Sequence, residues 1–347
     1  MFPKIHIFYN FRDGPWGGGN QFLKALRAEL FVKGHYEPDI KKANIIIFNS
    51  HHFGDQLNSL DKLIKLKHER PDIRFLHRLD GPISLIRGGS DRIDKIVFEI
   101  NSSIADGTVF QTKWSLQRSR ELGFQISGRY KVIINAPNKN LFYFQNTKVG
   151  LTDKVKLINT SWMTNKRKGI DVLKFLDNHL DFSKFEMRFV GNVNFQFKNI
   201  LTTPPQDSSS LAKILRTNDI FIAPSLNDPC SNAVCEALHS GLPVLARNSG
   251  GHPELVKSGG LLFNDESDIL NKLDELVLKF DKFRQNISVL SLSEIADNYI
   301  DFSSKILNKK QNFQYLNVQK LKRNEKLYSF SQRFNKTNLN KLFTRKN

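Results

Sequence analysis

Cysteine is nearly absent. Cys230 and Cys235 are the only two in 347 residues, which excludes a disulfide framework and points to a cytoplasmic compartment. Long apolar runs are missing as well. None approaches the ~18 residues of a membrane-spanning helix, and the opening MFPKIHIFYNFRDG lacks the apolar stretch of a signal peptide. Two nucleotide motifs fail in the turn GPWGGGNQF: the last glycine of a dinucleotide fingerprint falls on Phe22, and no Gly-Lys-Ser/Thr follows as a Walker loop requires. No Asp-x-Asp follows an apolar strand, and no His/Asp cluster has ligand spacing, so neither a metal nor any other cofactor is expected.

Acidic residues are the scarce charge, 34 against 52 Lys and Arg, and the net charge is +18. The excess is uneven. Residues 303–347 hold twelve Lys or Arg and one acid, Glu325. Such a tail attracts anionic surfaces. An anionic membrane face is the expected partner and nucleic acid is not, which makes the protein cytoplasmic with a peripheral membrane association. With 39% hydrophobic residues a core can form, and the length suits two domains of about 150 residues.

Apolar runs alternate with helical patterns. KIHIFYN, ANIIIFNS, IRFLHRLDG, GTVFQTKW and YKVIINAPN read as strands, with amphipathic helices such as NQFLKALRAELFVKG between them. The pattern restarts after a polar stretch at 145–154, with strands at VKLINTSW, FEMRFVGN, DIFIAPS and PVLARN and one helical stretch over ESDILNKLDELVLKFDKFRQNI. The expectation is an α/β protein of two units with parallel sheets: residues 1–150, residues 151–307 with a terminal helix, and a basic tail from 308 to 347. Ligands of such sheets sit beyond the carboxyl ends of the strands. That directs attention to Gly17–Gly19, His77–Asp80, Asn135–Asn138, Ser161–Lys168, Gly191 and Ser225–Asn232.

The densest signal is PSLNDPCSNAVCEALHSGLPVLARNSGG, residues 224–251. A strand ends at Ser225, and a polar loop carries Asp228. Ser231 or Asn232 can cap the next helix, leaving the amides of Asn232, Ala233 and Val234 to face the cleft. A helix start of this kind binds phosphate without a cationic side chain. Glu236 lies one turn further on, where a carboxylate can hold vicinal hydroxyls. The three glycines Gly17, Gly18 and Gly19 before a helix let backbone approach a ligand closely.

This stretch, continued through HPELVKSGGLLF, resembles the signature of the retaining GT-B glycosyltransferases of the GT4 type. Those enzymes carry Glu-x7-Glu between Pro-Ser and Gly-x-Pro-Val; here it reads Asp-x7-Glu, from Asp228 to Glu236. The resemblance implies two Rossmann-like domains facing across a cleft and a nucleotide-sugar as co-substrate. It gives Asp228 the donor sugar's hydroxyls and Glu236 the ribose. The Asn232 and Ala233 amides meet the diphosphate, and Gly17–Gly19 allow the first domain to approach donor and acceptor. SWMTNKRKGID resembles the family's Gly-Arg-Leu-x-x-x-Lys-Gly, so Lys168 grips the diphosphate. The family's arginine is missing, and Lys166 or Arg167 is the candidate second cation. In FLHRLDGP, the family position facing the reacting sugar falls to Asp80, then His77. The implied reaction moves a sugar to a hydroxyl, on a glycan or lipid-linked acceptor of surface polysaccharide assembly, with retention. Other readings stay open: a GT-B epimerase or phosphorylase, a basic adaptor for membrane or nucleic acid, and a transferase reduced to ligand binding.

Overall fold

The computed structural model describes residues 1–14, 17–49, 57–126, 128–145, 151, 153–162 and 166–308. The basic tail beyond Asn308, on which the membrane expectation rests, lies outside them. Among the described residues no helix is long and apolar enough to cross a membrane.

The first lobe contains β1 (Ile5–Phe8), α1 (Gly18–Val32), β2 (Ile45–Asn49), α2 (Leu57–Glu69), β3 (Arg74–Leu79), α3 (Ile83–Arg87), α4 (Arg92–Ile104), β4 (Gly107–Phe110), α5 (Lys113–Glu121) and β5 (Arg129–Val132). The five strands are parallel, in the order β1-β2-β3-β4-β5. β2 is apolar on both faces because helices cover both: Ile45 and Ile47 face α1, while Ile46 and Phe48 face α2 and α4. One isolated bridge, Ile5 with Tyr36, lies on the outer flank of β1. The chain therefore leaves β1 in one direction through α1 to Tyr36 and returns to β2 on the other side. β1 is where the strand order reverses, and the glycine turn follows it.

The second lobe contains β6 (Val155–Ser161), α6 (Ile170–His179), β7 (Phe185–Gly191), β8 (Leu201–Thr203), α7 (Ser208–Arg216), β9 (Ile220–Ala223), α8 (Asn232–His239), β10 (Val244–Arg247), α9 (His252–Val256), β11 (Gly260–Phe263), α10 (Ile269–Leu278) and α11 (Phe280–Gln285). Its parallel sheet runs β11-β10-β9-β6-β7-β8, so the order reverses between β6 and β9. A crevice opens at such reversals. The loops after β1, β6 and β9 all carry candidate residues.

Several elements depart from the sequence reading. The helix α4 and the short strands β8 and β11 were passed over, and the single helical stretch at 266–287 is broken into α10 and α11 at Lys279. The terminal helix α12 (Leu292–Leu307), expected with the second unit, packs in the core of the first. Its start is a capping box: the Ser291 hydroxyl accepts from the Glu294 amide at 3.2 Å, and the Glu294 carboxylate accepts from the Ser291 amide at 2.8 Å. Its apolar stripe, Ile295, Tyr299, Phe302 and Ile306, is buried with Ile5, Phe22, Leu26 and Val109. Gly107 lies directly under the tip of the Ile306 side chain, which a Cβ there would displace. Two crossings of the chain thus join the lobes.

Ile306→Ala should cost about 2–5 kcal/mol of stability, the usual range for emptying a packed site. Chemical denaturation measures it. A loss under about 1 kcal/mol would mean that α12 is not part of the first lobe's core.

Candidate functional site

The two strand-order reversals bring two helix starts together. α8 begins at Asn232, capped by Ser231; α1 begins at Gly18, with Gly17 at its cap. They touch: a Cβ on Gly18 would overlap the Asn232 side chain, whose nearest atom is the amide nitrogen Nδ2. A Cβ on Gly17 or Gly19 would meet nothing within 4 Å, so only Gly18 owes its identity to this contact. Each helix start carries unsatisfied amides and a partial positive charge of about half a unit. Two meeting in one place make a seat for an anion.

Cation and carboxylate stand beside the seat. Lys168 ends a short 3-10 turn after β6, and its Nζ lies 3.2 Å from Asp228 Oδ2. Gly169, at φ 76°, turns the chain there, because a Cβ would strike Pro224. The Leu226 amide donates to the Arg167 carbonyl at 2.8 Å, which ties the Lys168 turn to the Asp228 loop. The glycine pair serves the same loop from behind. A Cβ on Gly250 or Gly251 would collide with the backbone of Asp228 or Pro229. The Gly251 amide donates to the Asp228 carbonyl at 2.8 Å, and the Asn227 amide to Ser249 Oγ at 3.0 Å.

Glu236 keeps part of its surface open, and its carboxyl has no hydrogen-bond partner among the described residues. Desolvation by the surrounding protein raises its pKa to about 8. Burial also depresses the His252 imidazole, against the pull of Asp228. The two free cysteines are buried. Its hydrogen bond with Cys230, and then burial, push the Cys235 thiol up, which leaves it a small core residue rather than a nucleophile.

From the first lobe comes a polar network whose members Arg78, Asp80 and Asn135 lie at strand ends that the sequence reading singled out, while Asn49 and Gln111 were not named. Arg78 is 1% exposed. Its Nη1 donates to Asn49 Oδ1 and Asp80 Oδ1, both at 2.6 Å, and its Nη2 to Asn135 Oδ1 at 2.9 Å. Asp80 also accepts from Gln111 Nε2 at 2.5 Å and Asn49 Nδ2 at 3.1 Å. Asn135 Nδ2 donates to Gln111 Oε1 and, across the gap, to Asn232 Oδ1, both at 3.1 Å. Further bonds hold the lobes together. Thr112 Oγ1 donates to the Pro229 carbonyl at 2.8 Å, and the Lys113 and Trp114 amides donate to the Glu254 carboxylate at 2.8 and 2.7 Å.

Three sequence expectations are corrected. His77 does not reach the gap. It is fully buried, stacked on Phe48 at 4.2 Å and bonded to Asn101 of α4, the helix that had been passed over. The Val234 amide does not face a ligand, because Ser231 Oγ accepts it at 3.5 Å; Ser231 acts as a cap. Arg167 donates to the Leu85 carbonyl of the first lobe and lies against Gly88, so it bridges the lobes instead of joining the seat. Gly191 packs where a Cβ would overlap the Ser161 carbonyl, bringing the end of β7 against that of β6. Among the described residues, no three His, Cys, Asp or Glu group as a metal site would require.

Residues 158–279 match the family described as glycosyl transferases group 1; the second lobe carries a domain of that family. The chain is 25% identical over 214 residues to Protein CapJ of Staphylococcus aureus, covering 58% of this chain and 50% of CapJ. It is 27% identical over 123 residues to the sulfoquinovosyl transferase SQD2 of Arabidopsis thaliana, covering 32% of this chain and 24% of SQD2. The chain spans half or less of the length of these curated relatives. Anabaena HepE, solved in complex with UDP and glucose, shares the fold at TM-score 0.68 and 14% identity, covering 87% of this chain and 100% of HepE. Sucrose-phosphate synthase from Thermosynechococcus elongatus does so at 0.61 and 15%, covering 88% and 96%. The fold is GT-B.

The pKa of Glu236 gives a test of its setting. The carboxyl ionises at 4.5 ordinarily and at about 8 when folded. Between those values the folded state holds the extra proton, so this group makes stability fall as pH rises. Glu236→Gln should therefore be more stable than wild type, with a gain in Tm that grows from pH 5 to pH 8. A constant difference would mean that Glu236 is not desolvated.

Proposed function

We propose that this chain, with a glycosyl transferases group 1 domain in its second lobe, is a retaining glycosyltransferase of the GT4 type. It moves a sugar from a nucleotide-sugar to a hydroxyl acceptor. The observation that carries the reading is the meeting of the α1 and α8 starts at Gly18 and Asn232, beside Lys168. The roles are assigned as follows. The amides of Asn232 and Ala233, with Lys168, hold the diphosphate; Glu236 holds the ribose hydroxyls; Asp228, braced by Gly250 and Gly251, holds the donor sugar. The HepE complex with UDP and glucose supports a donor of this class.

The chemical demand is charge. As the sugar separates, it becomes oxocarbenium-like and the diphosphate oxygen gathers negative charge. Fixed amides and one ammonium aimed at that oxygen favour the transition state over the ground state; each such donor is typically worth ~2.7–4 kcal/mol. The departing phosphate takes the acceptor's proton, which explains why no separate base is needed. A seat between two lobes also excludes water once filled, limiting loss of the donor to hydrolysis. Asp80, 35% exposed at the tip of β3, is the first-lobe group placed to meet acceptor or donor hydroxyls. A glycan or lipid-linked acceptor fits this reading, as does an anionic membrane surface held by the tail.

A thermal-shift panel of UDP-, GDP-, ADP- and dTDP-sugars should give one clear stabiliser. Lys168→Ala should cut turnover with it at least tenfold at unchanged Tm. A second test uses pH. Ribose hydroxyls donate to the ionised Glu236, yet at pH 7 roughly nine in ten molecules carry it protonated, given a pKa of about 8. Nucleoside diphosphate affinity should rise close to tenfold between pH 7 and pH 9, relative to Glu236→Gln. If the two proteins show the same pH dependence, Glu236 does not contact the ligand.

A further inference from the structure

The buried network does more than join the lobes: it sets which way each amide points. Asn and Gln amides present an acceptor at one end and donors at the other, and their neighbours decide the orientation. Two groups here admit no choice. The Arg78 guanidinium can only donate, and an ionised Asp80 can only accept. Arg78 Nη2 lies 2.9 Å from Asn135, so that atom of Asn135 is the oxygen. Asp80 draws the nitrogen of Gln111 to 2.5 Å, so Gln111 turns its oxygen to Asn135. Both constraints give Asn135 the same orientation. Its nitrogen then faces Asn232 at 3.1 Å, and Asn232 must answer with its oxygen.

The consequence falls on the last member. With Oδ1 held by Asn135, Asn232 turns Nδ2 toward Gly18, where the two helix starts meet. That nitrogen donates to no group among the described residues, whereas the network behind it is closed by hydrogen bonds. A glycine at position 18 leaves room for it. The geometry points to the Asn232 side chain as a phosphate donor, presented by Arg78 and Asp80 acting through Asn135 and Gln111. Resting on the donor-site reading above, this assigns Asn232 a contact to the diphosphate beyond its backbone amide, and makes Asn135 and Arg78 positioning residues. The relay spans both lobes, so the donor is in place only when Asn135 and Asn232 are in contact.

The test is a double-mutant cycle on binding, by calorimetry with UDP, GDP, ADP and dTDP, using the tightest, and with the matching nucleoside as control. Asn232→Ala should weaken diphosphate binding about tenfold or more, the effect of losing a hydrogen bond to a charged group. Asn135→Ala should weaken it several-fold, and the double variant should bind no worse than Asn232→Ala alone. Nucleoside affinity should stay within about twofold throughout, which a merely structural role for Asn135 would not give. Additive losses, or equal losses for nucleoside and diphosphate, overturn the relay. Wild-type protein that binds none of the four diphosphates removes the donor-site reading, and the relay with it. Wild-type binding that neither variant alters removes the relay alone.

Discussion

The structure turns on one contact, Gly18 of α1 against Asn232 of α8. Two helix starts seldom meet without something between them, because each brings unsatisfied amides and partial positive charge. Here Lys168 is added, paired with the Asp228 carboxylate at 3.2 Å. Much of the surrounding sequence supports that contact. The strand-order reversals at β1 and β6/β9 deliver the two helices. Gly169, Gly250 and Gly251 let the Lys168 turn and the Asp228 loop approach their neighbours.

Holding two lobes around such a seat requires bonds that do not use up the seat's own donors. The molecule separates the two tasks. Glu254 caps α5 from across the gap, Thr112 reaches the Pro229 carbonyl, and Arg167 reaches Leu85, and none of these bonds uses an amide of the α8 start. The α12 helix adds a second covalent crossing and seals the first lobe's core. The Arg78 network runs from lobe to lobe into the seat. A buried guanidinium is costly unless it is paired and hydrogen-bonded, and Asp80, Asn49 and Asn135 accept from its two terminal nitrogens.

Local pattern made much of this readable beforehand. The alternation of apolar runs and amphipathic stretches announced two parallel α/β units, and the loops after the strands contained Lys168, Asp228 and the α8 start. Strand alternation sends His77 and Arg78 to opposite faces: the first faces α4, the second faces Phe22 of α1. Which face met the gap was not readable, because α4 went unrecognised and its cover over His77 with it. The network joins positions 49, 78, 80, 111, 135 and 232, whose proximity depends on tertiary structure alone. The destination of α12 was hidden for a similar reason. An amphipathic stripe shows that a helix packs, and not against which lobe. Ser231 was one of two candidate caps, with Asn232, but the cost of that cap, the Val234 amide, was not drawn.

A crystal structure with a bound nucleoside diphosphate tests the central claim most directly. The account predicts the terminal phosphate between the α1 and α8 starts, within about 3.2 Å of the Asn232 and Ala233 amides, with Lys168 turned toward it. A phosphate lodged elsewhere, with Gly18 and Asn232 still closed on each other and nothing between them, would contradict it.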